Sequence, residues 1–403
     1  EKARTDERVK EARGNAFPEV TATGQFLRNL KLPVFYMPSF GFDRTGQLVL
    51  GPSSPMEIGL KNNFSGAITF QMPLYQGAIY AGIRAASVVN DISEENIINT
   101  RAATITEVKK AYFNVLIVKE QYNLLAQSIR RGNQAVKDVR NLYNQGMASD
   151  LDTLRAFVAV ENLKPLLIKT ESGIVNAKAY LTTLLGLNGG TAIELTDSLE
   201  GFPLNVQYDL SQAGEEAIAK RPELSLLDLQ IRANDEVINY EFASHMPSLA
   251  AFGQYKLELQ SDNFRLSKYT WPSSSYVGLQ LSVPLFSGFK TEARVEQARL
   301  EGMKLQTQLE NAREMIRTEV KVAASNLAES HKRIEAQGRT VQAAERSYEL
   351  TRSRWLKGVS RQNELFDAEL ALSQAKTSYL QAVHDYLTAQ VELDRVLGRT
   401  GRM

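Results

Sequence analysis

The residues that could carry catalysis or bind a metal are few and widely separated in this 403-residue chain. It has no cysteine and only three histidines, His245, His331 and His384. The lack of cysteine excludes disulfides, thiol catalysis and cysteine-ligated metals. The histidines are too far apart in sequence to form a local metal-binding motif. The sequence therefore predicts neither an enzyme nor a bound metal or cofactor.

Two further classes of site are not supported. The segment "GLNGG" at residues 186–190 lacks the Lys-Ser/Thr that completes a phosphate-binding loop, and we interpret it as a helix stop followed by a turn. Lysine and arginine total 47 and aspartate and glutamate 46, which gives a net charge of +1. Because positive and negative charges nearly cancel, the protein has no overall positive potential to attract nucleic acid, and we expect no nucleic-acid partner.

An acidic pair near the end of the chain is the clearest remaining candidate. Glu364 and Asp367 are three residues apart in a segment with a helical pattern, which places both carboxylates on one helix face. Spacing alone leaves two interpretations open, a functional acidic site and an ordinary solvated helix face. The choice between these two interpretations depends on the secondary-structure elements that position the pair.

The chain consists of two tandem copies of one pattern. The strand-like "ITFQMPLYQG" (68–77) corresponds to "LQLSVPLFSG" (279–288), and "LYNQGMASDLDTLRA" (142–156) corresponds to "RWLKGVSRQNELFDA" (354–368). "FPEVTATGQF" and "MPSLAAFGQY", and "LLGL" and "VLGR", correspond in the same order. An internal duplication is thus predicted, with repeats at about 1–210 and 211–403.

Each repeat is predicted to contain two strands, a very long helix, a tight turn and a second helix. The first has strands at about 19–27 and 65–75, helices at about 79–143 and 149–187, and an equatorial segment at about 188–210. The second has helices at about 222–244, 290–356 and 362–397, and strands at about 248–260 and 276–286. Apolar residues recur every seventh position in both long helices, which favours coiled-coil packing. Those positions are Val115, Tyr122, Ile129, Val136 and Tyr143, and Leu327, Ile334, Val341, Tyr348 and Trp355.

The four strands each show one apolar and one polar face. Ile68 and Phe70 alternate with Thr69 and Gln71, for example. A period of two over about 8–12 residues suits a tilted strand with lipid on one side and water on the other. The alternative is a sheet packed on a soluble helical domain. No run reaches the roughly 20 apolar residues of a membrane helix, so any bilayer crossing would use strands.

Four strands are too few to close a water-filled barrel, and an open sheet edge is not viable in lipid. Several protomers must therefore contribute strands, and three would supply twelve. In this interpretation the Pro-x-x-x-Gly steps, Pro73 to Gly77 and Pro284 to Gly288, turn the chain out of the bilayer into the long helices.

At this point the motifs resemble outer-membrane efflux proteins of the TolC type over essentially the full length. The resemblance rests on the order and double occurrence of "PL(Y/F)xG", the turn motifs and the closing "LLGL" and "VLGR", together with "AIAKRPELSLLDLQI" (217–231). The first repeat lacks a counterpart of the Arg-Pro-Glu-Leu step, and "EKARTDERVKEARGNAFPEV" resembles the end of a helix. We therefore expect the amino terminus to be truncated.

The resemblance implies a mainly helical fold with transmembrane strands. A homotrimer would form a twelve-stranded barrel in the outer membrane of a Gram-negative bacterium, continued by a long α-helical barrel through the periplasm. The implied function is a passive exit duct for efflux or type I secretion. The implied partners are outer-membrane lipid, a periplasmic adaptor protein and an inner-membrane pump of the RND or ABC type. A soluble or periplasmic coiled-coil scaffold or adaptor is the alternative.

The resemblance also assigns roles to residues at the helix turns. The adaptor-docking tip corresponds to Gln145, Gly146, Met147, Lys357, Gly358 and Val359. Glu364 and Asp367 match carboxylates that would form two acidic rings in a trimer and favour cations. Asp152 and Trp355 match the acidic and aromatic members of a polar latch that closes the tip. Ser360 stands in the place of its basic member, and an Asp152–Arg361 contact is our hypothesis for this chain.

Overall fold

The computed structural model describes residues 1–188, 191–204, 212–265 and 268–401. Parts of the predicted equatorial segment and of "GLNGG", at 189–190 and 205–211, lie outside the described residues. The helices are α1 (Lys2–Gly14), α2 (Gly77–Asn144), α3 (Asp150–Glu161), α4 (Lys164–Leu184), α5 (Ala213–Lys220), α6 (Pro222–Phe242), α7 (Lys290–Leu356) and α8 (Gln362–Val396). The strands are β1 (Glu19–Arg28), β2 (Val34–Phe42), β3 (Leu48–Glu57), β4 (Asn62–Tyr75), β5 (Ser248–Ser261) and β6 (Ser273–Ser282).

The chain forms two compact units, and neither coincides with one sequence repeat. The first unit comprises Glu1–Ser93 and Leu229–Leu305, and the second comprises Glu94–Asp228 and Gln306–Met403. Each repeat therefore contributes residues to both units. In the helices of the described residues, no stretch is both long and apolar enough to cross a membrane.

The first unit contains a four-stranded antiparallel sheet with the order β1-β4-β5-β6. Its register aligns the alternating residues of all four strands into rows. One row runs Val20–Phe70–Gly253–Val277, and the neighbouring row runs Thr21–Thr69–Gln254–Tyr276. The predicted apolar positions thus share one face and the predicted polar positions share the other.

Both faces of this sheet are open to solvent in the single chain. On the apolar face, Val277 is 90% exposed, Leu279 68% and Val20 64%. On the polar face, the Thr21 and Thr69 hydroxyls hydrogen-bond at 2.5 Å and Tyr276 donates to Gln254. Exposed apolar area of this extent indicates an interaction surface, for a protein partner, a ligand or a membrane.

The long loop after β1 is a second sheet, which the sequence analysis did not predict. Strands β2 and β3 pair antiparallel, with Phe40 opposite Leu50 and Phe42 opposite Leu48. Three prolines, at positions 38, 52 and 55, lie in these strands although proline cannot donate a ladder hydrogen bond. A two-stranded hairpin tolerates them since each strand has a free outer edge.

Several observed element bounds differ from the expected ones. The single helix expected at 149–187 is two helices, because Pro165 has no N–H to donate to Glu161 and instead occupies the first turn of α4. β6 ends at Ser282, so residues 283–286 of the expected strand lie outside it.

The core of the second unit is formed by helices from both repeats. Its largest cluster includes Leu116 of α2, Leu327 of α7 and Tyr386 of α8, all at most 8% exposed. Four of the predicted heptad residues, Val115, Leu327, Ile334 and Trp355, are likewise buried. Tyr143, the last of its series, is 45% exposed, so the buried seam does not extend to the end of α2.

Candidate functional site at the paired helix turns

The two turns that join α2 to α3 and α7 to α8 have the same backbone geometry. Gly146 and Gly358 adopt φ values of 72° and 76°, a left-handed conformation that glycine accepts without strain. In each turn, the backbone N–H of the residue after the glycine donates to the carbonyl oxygen five residues earlier in the preceding helix. These hydrogen bonds are Met147 N–H to Leu142 O at 2.8 Å and Val359 N–H to Arg354 O at 2.9 Å. The predicted tip residues Gln145, Lys357 and Val359 lie in these turns and are exposed.

A reciprocal capping box closes the amino terminus of α3. The Asp152 backbone N–H donates to Ser149 Oγ at 3.2 Å, and the Ser149 backbone N–H donates to Asp152 Oδ2 at 3.1 Å. The Ser149 hydroxyl also donates to the same carboxylate at 2.6 Å. These hydrogen bonds from Ser149 lower the pKa of Asp152. The sequence signal, Ser-x-x-Asp before a helix, was present and was missed.

A small apolar cluster holds the two hairpins together at the turns. It contains Val139 of α2, Ala156 of α3, Trp355 of α7 and Leu365 of α8. Trp355 is 6% exposed. Trp355, which was expected to belong to the latch, therefore packs in the apolar core of the turns.

A cavity of about 610 Å³ lies beside this cluster and brings six of the predicted gate and tip residues together. Its lining includes Met147, Asp152, Arg155, Trp355, Lys357, Gly358, Ser360, Arg361 and Gln362. Asp152 and Arg361 thus share one cavity. In the described part of the chain no salt bridge joins them, and the Asp152 carboxylate is instead bound by Ser149.

The acidic pair follows the cavity-lining residues of α8 in sequence. Glu364 and Asp367 are both exposed, while Leu365 between them is buried in the apolar cluster. The helix therefore presents the two carboxylates to solvent on the side away from its core. This placement brings them together with each other and keeps them out of the cavity.

A partly buried ion pair between α2 and α8, more than two helical turns from the paired glycines, was missed by sequence reasoning. Arg131 of α2 donates to both oxygens of Glu369 of α8 at 2.9 and 3.0 Å. The Arg131 guanidinium also lies 5.9 Å from the ring centre of Tyr348 of α7. Burial and the Glu369 charge raise the pKa of Tyr348. No local pattern signals a contact between residues 238 positions apart.

The predicted strand-to-helix turns, in the first unit, use their glycines differently. Gly288 has a φ of 63° and needs its conformational freedom, and Phe289 beside it has a φ of 62°. A Cβ at Gly77 would lie 3.0 Å from Ala243 Cβ, so Gly77 serves close packing. Pro73 lies in β4 beyond the last pairing with β1, and Pro284 follows the end of β6.

Among the described residues, no group of three or more His, Asp or Glu side chains is placed to hold a metal ion. The arrangement at the turns is therefore one of charges, a cavity and a packed aromatic residue.

The family model described as "Outer membrane efflux protein" matches residues 1–187 and 213–399. The chain belongs to this family. The two matched segments correspond to the two sequence repeats, and the resemblance to outer-membrane efflux proteins is confirmed.

Similar proteins in this family cover most of the chain. TolC of Vibrio cholerae is 23% identical over 97% of this chain and 86% of its own length. The alkaline protease secretion protein AprF of Pseudomonas aeruginosa is 25% identical over 82% of this chain and 69% of its own length.

Two solved outer membrane channels share the fold. The CmeC channel of Campylobacter jejuni superposes with a TM-score of 0.75 at 15% identity, covering 99% of this chain and 81% of CmeC. The open-state MtrE channel of Neisseria gonorrhoeae gives a TM-score of 0.74 at 17% identity, covering 100% of this chain and 86% of MtrE. The predicted fold class, mainly helical with a sheet of four strands from each chain, is confirmed.

Proposed function

We propose that three copies of this chain form a passive outer-membrane duct for efflux or type I secretion. The observation that carries the proposal is the sheet register, which aligns an exposed apolar face opposite a polar face over four strands. Among the described strands, β1 and β6 each pair on one side only, so both edges need a partner. Twelve strands from three protomers would close such edges and leave the polar faces lining a lumen.

Family membership supports a transport channel over the soluble scaffold that the sequence left as an alternative. Homologous outer membrane proteins are named as parts of efflux pumps and of protein secretion systems. By this analogy the duct works with a periplasmic adaptor and an inner-membrane pump, and the pump supplies the energy. The exposed turn residues around Gly146 and Gly358 are the proposed adaptor-docking surface.

The proposed gate combines Glu364 and Asp367 as acidic rings with Asp152, Arg361 and Trp355 around the cavity. Closure would bring Arg361 against Asp152, which share the cavity lining. Replacing Arg361 by Ala should then raise single-channel conductance without changing assembly. Unchanged conductance would count against this latch.

The channel itself is tested with detergent-purified protein. We expect a particle of three times the 44.9 kDa chain mass by light scattering. The same particles should produce discrete conductance steps in planar lipid bilayers. A monomer that is soluble without detergent and forms no conducting pores would overturn the proposal.

A further inference from the structure

The duplicated helix turns provide an internal comparison between two helix starts. Gly146 and Gly358 hold equivalent left-handed positions, and Ser149 and Arg361 each follow three residues later as the N-cap. Differences between the two helix starts therefore reflect side chains and not backbone path.

The two starts differ in how their backbone N–H groups are satisfied. At α3, Ser149 and Asp152 supply the cap and a carboxylate. At α8, the N-cap Arg361 makes no side-chain cap hydrogen bond. Because the first N–H groups of a helix carry partial positive charge, an uncapped start of a 35-residue helix favours an anion.

Two buried polar side chains beside this start lack partners. Ser360 and Gln362 are 9% and 7% exposed, and both line the 610 Å³ cavity. Within the described residues, Ser360 Oγ and Gln362 Nε2 have no hydrogen-bond partner. Buried polar groups are ordinarily paired, so these two indicate a ligand that supplies acceptors.

The charges around the cavity have the matching sign. Arg155, Lys357 and Arg361 line it, and in the described part of the chain none of them has a salt bridge. The one carboxylate in the lining, Asp152, already accepts two hydrogen bonds from Ser149. Among the lining residues three cations face one carboxylate, while Glu364 in the first turn of α8 is exposed and lies outside the lining.

We propose that this cavity binds an oxyanion, a carboxylate or phosphate group, at the amino terminus of α8. The bound group takes the place that the Asp152 carboxylate holds at α3, accepting hydrogen bonds from Ser360, Gln362 and the first turn of α8. Its negative charge is balanced by Arg361 and its two cationic neighbours. The inference depends on the helix starts and the cavity, and it is independent of conduction through a pore.

Trp355 makes the site measurable, because it lines the cavity and is one of two tryptophans in the chain. In detergent-purified full-length protein carrying Trp271→Phe, we titrate inorganic phosphate and, separately, glutarate at constant ionic strength. We expect a saturable change in Trp355 emission and a higher unfolding temperature, with no change for chloride. Glutarate represents an acidic side chain of a docking protein. Saturation by glutarate alone would identify a carboxylate as the occupant, and saturation by phosphate would identify a free anion.

Two variants test the assignment to α8. Arg361→Ser combines with Glu364 to restore the Ser-x-x-Glu capping sequence, so the helix caps itself and anion affinity should fall at least tenfold. Gln362→Leu should also weaken binding and keeps the test decisive if the first variant unfolds. Arg346→Ala, which removes an exposed charge from α7, should leave affinity unchanged. No saturable signal in the parent protein, or equal affinity in all variants, would overturn the proposal.

Discussion

At the scale of single residues, the acidic pair on α8 offers the most direct test of the proposed acidic rings. Glu364 and Asp367 are exposed and separated by a buried Leu365, so both are available to a lumen. Three copies of each would place two neighbouring rings of three carboxylates in a pore, which favours cations. We expect the double variant Glu364→Gln, Asp367→Asn to bring the cation-to-anion permeability ratio toward unity, measured as a reversal potential in a salt gradient.

The matched control is Glu171→Gln, which removes an exposed carboxylate from α4. It should leave the reversal potential where the parent protein has it. If the control and the double variant shift selectivity equally, the effect belongs to net charge and the assigned rings are wrong.

The sequence motifs indicated which residues lie near the turns, but they did not indicate which side chains contact one another. The family resemblance assigned Asp152, Trp355 and Glu364 to the region of the turns, and Ser-x-x-Asp could have revealed the capping box. The Arg131–Glu369 pair had no such signal, because it depends on how two distant helices pack. Side-chain pairing across elements is decided by tertiary structure that a sequence period does not specify.

At the scale of elements, the two helix starts predict different responses to the same kind of substitution. Ser149→Ala removes the cap of α3 and should lower the opening free energy of its first turn by about 1 kcal/mol. Arg361→Ala removes a residue that makes no cap hydrogen bond, so α8 should lose nearly nothing. Hydrogen exchange of peptides over 147–156 and 359–368 measures both. Equal acceleration in the two peptides would contradict the capping assignment.

The contact between α5 and the carboxyl-terminal segment predicts a pH dependence. Hydrogen bonds from Arg399, at 2.8 and 3.0 Å, and from Lys220, at 2.8 Å, lower the pKa of Glu216 to about 2. The unfolded-state pKa of glutamate is about 4.3. A folded pKa below the unfolded one stabilises the protein above about pH 4, and this contribution disappears as pH falls toward 2.

Glu216→Gln should therefore lower the unfolding temperature at pH 7, and the difference from the parent protein should shrink between pH 4 and pH 2. Thermal unfolding of both proteins over that range measures it. A difference that stays constant with pH would show that the carboxylate charge is not the cause.

Periodicity predicted the existence and type of the long elements, and it failed where proline decides the local backbone. The strands of the four-stranded sheet and both long helices are close to their expected bounds. Pro165 breaks the helix expected at 149–187 because the missing N–H outweighs a continuous helical pattern. The β2–β3 hairpin lies in a segment for which the sequence predicted no strands. Its prolines are unusual in strands, and the free edges of a hairpin accept them.

At the scale of the whole molecule, the proposed channel requires the two faces of the sheet to have different surroundings. The alternation was readable from sequence, but its alignment across four strands depends on register, which only the structure gives. Leu279 and Gln280 are neighbours on β6 that point to opposite faces, and both are exposed in the single chain. Assembly in a bilayer should place Leu279 against lipid and Gln280 in water.

The most direct test labels these two positions one at a time. The chain has no cysteine, so Leu279→Cys and Gln280→Cys each introduce a unique thiol. In proteoliposomes we expect a water-soluble maleimide to label the cysteine at position 280 and to leave the one at 279 unreacted until detergent is added. Equal labelling at both positions without detergent would contradict the central claim.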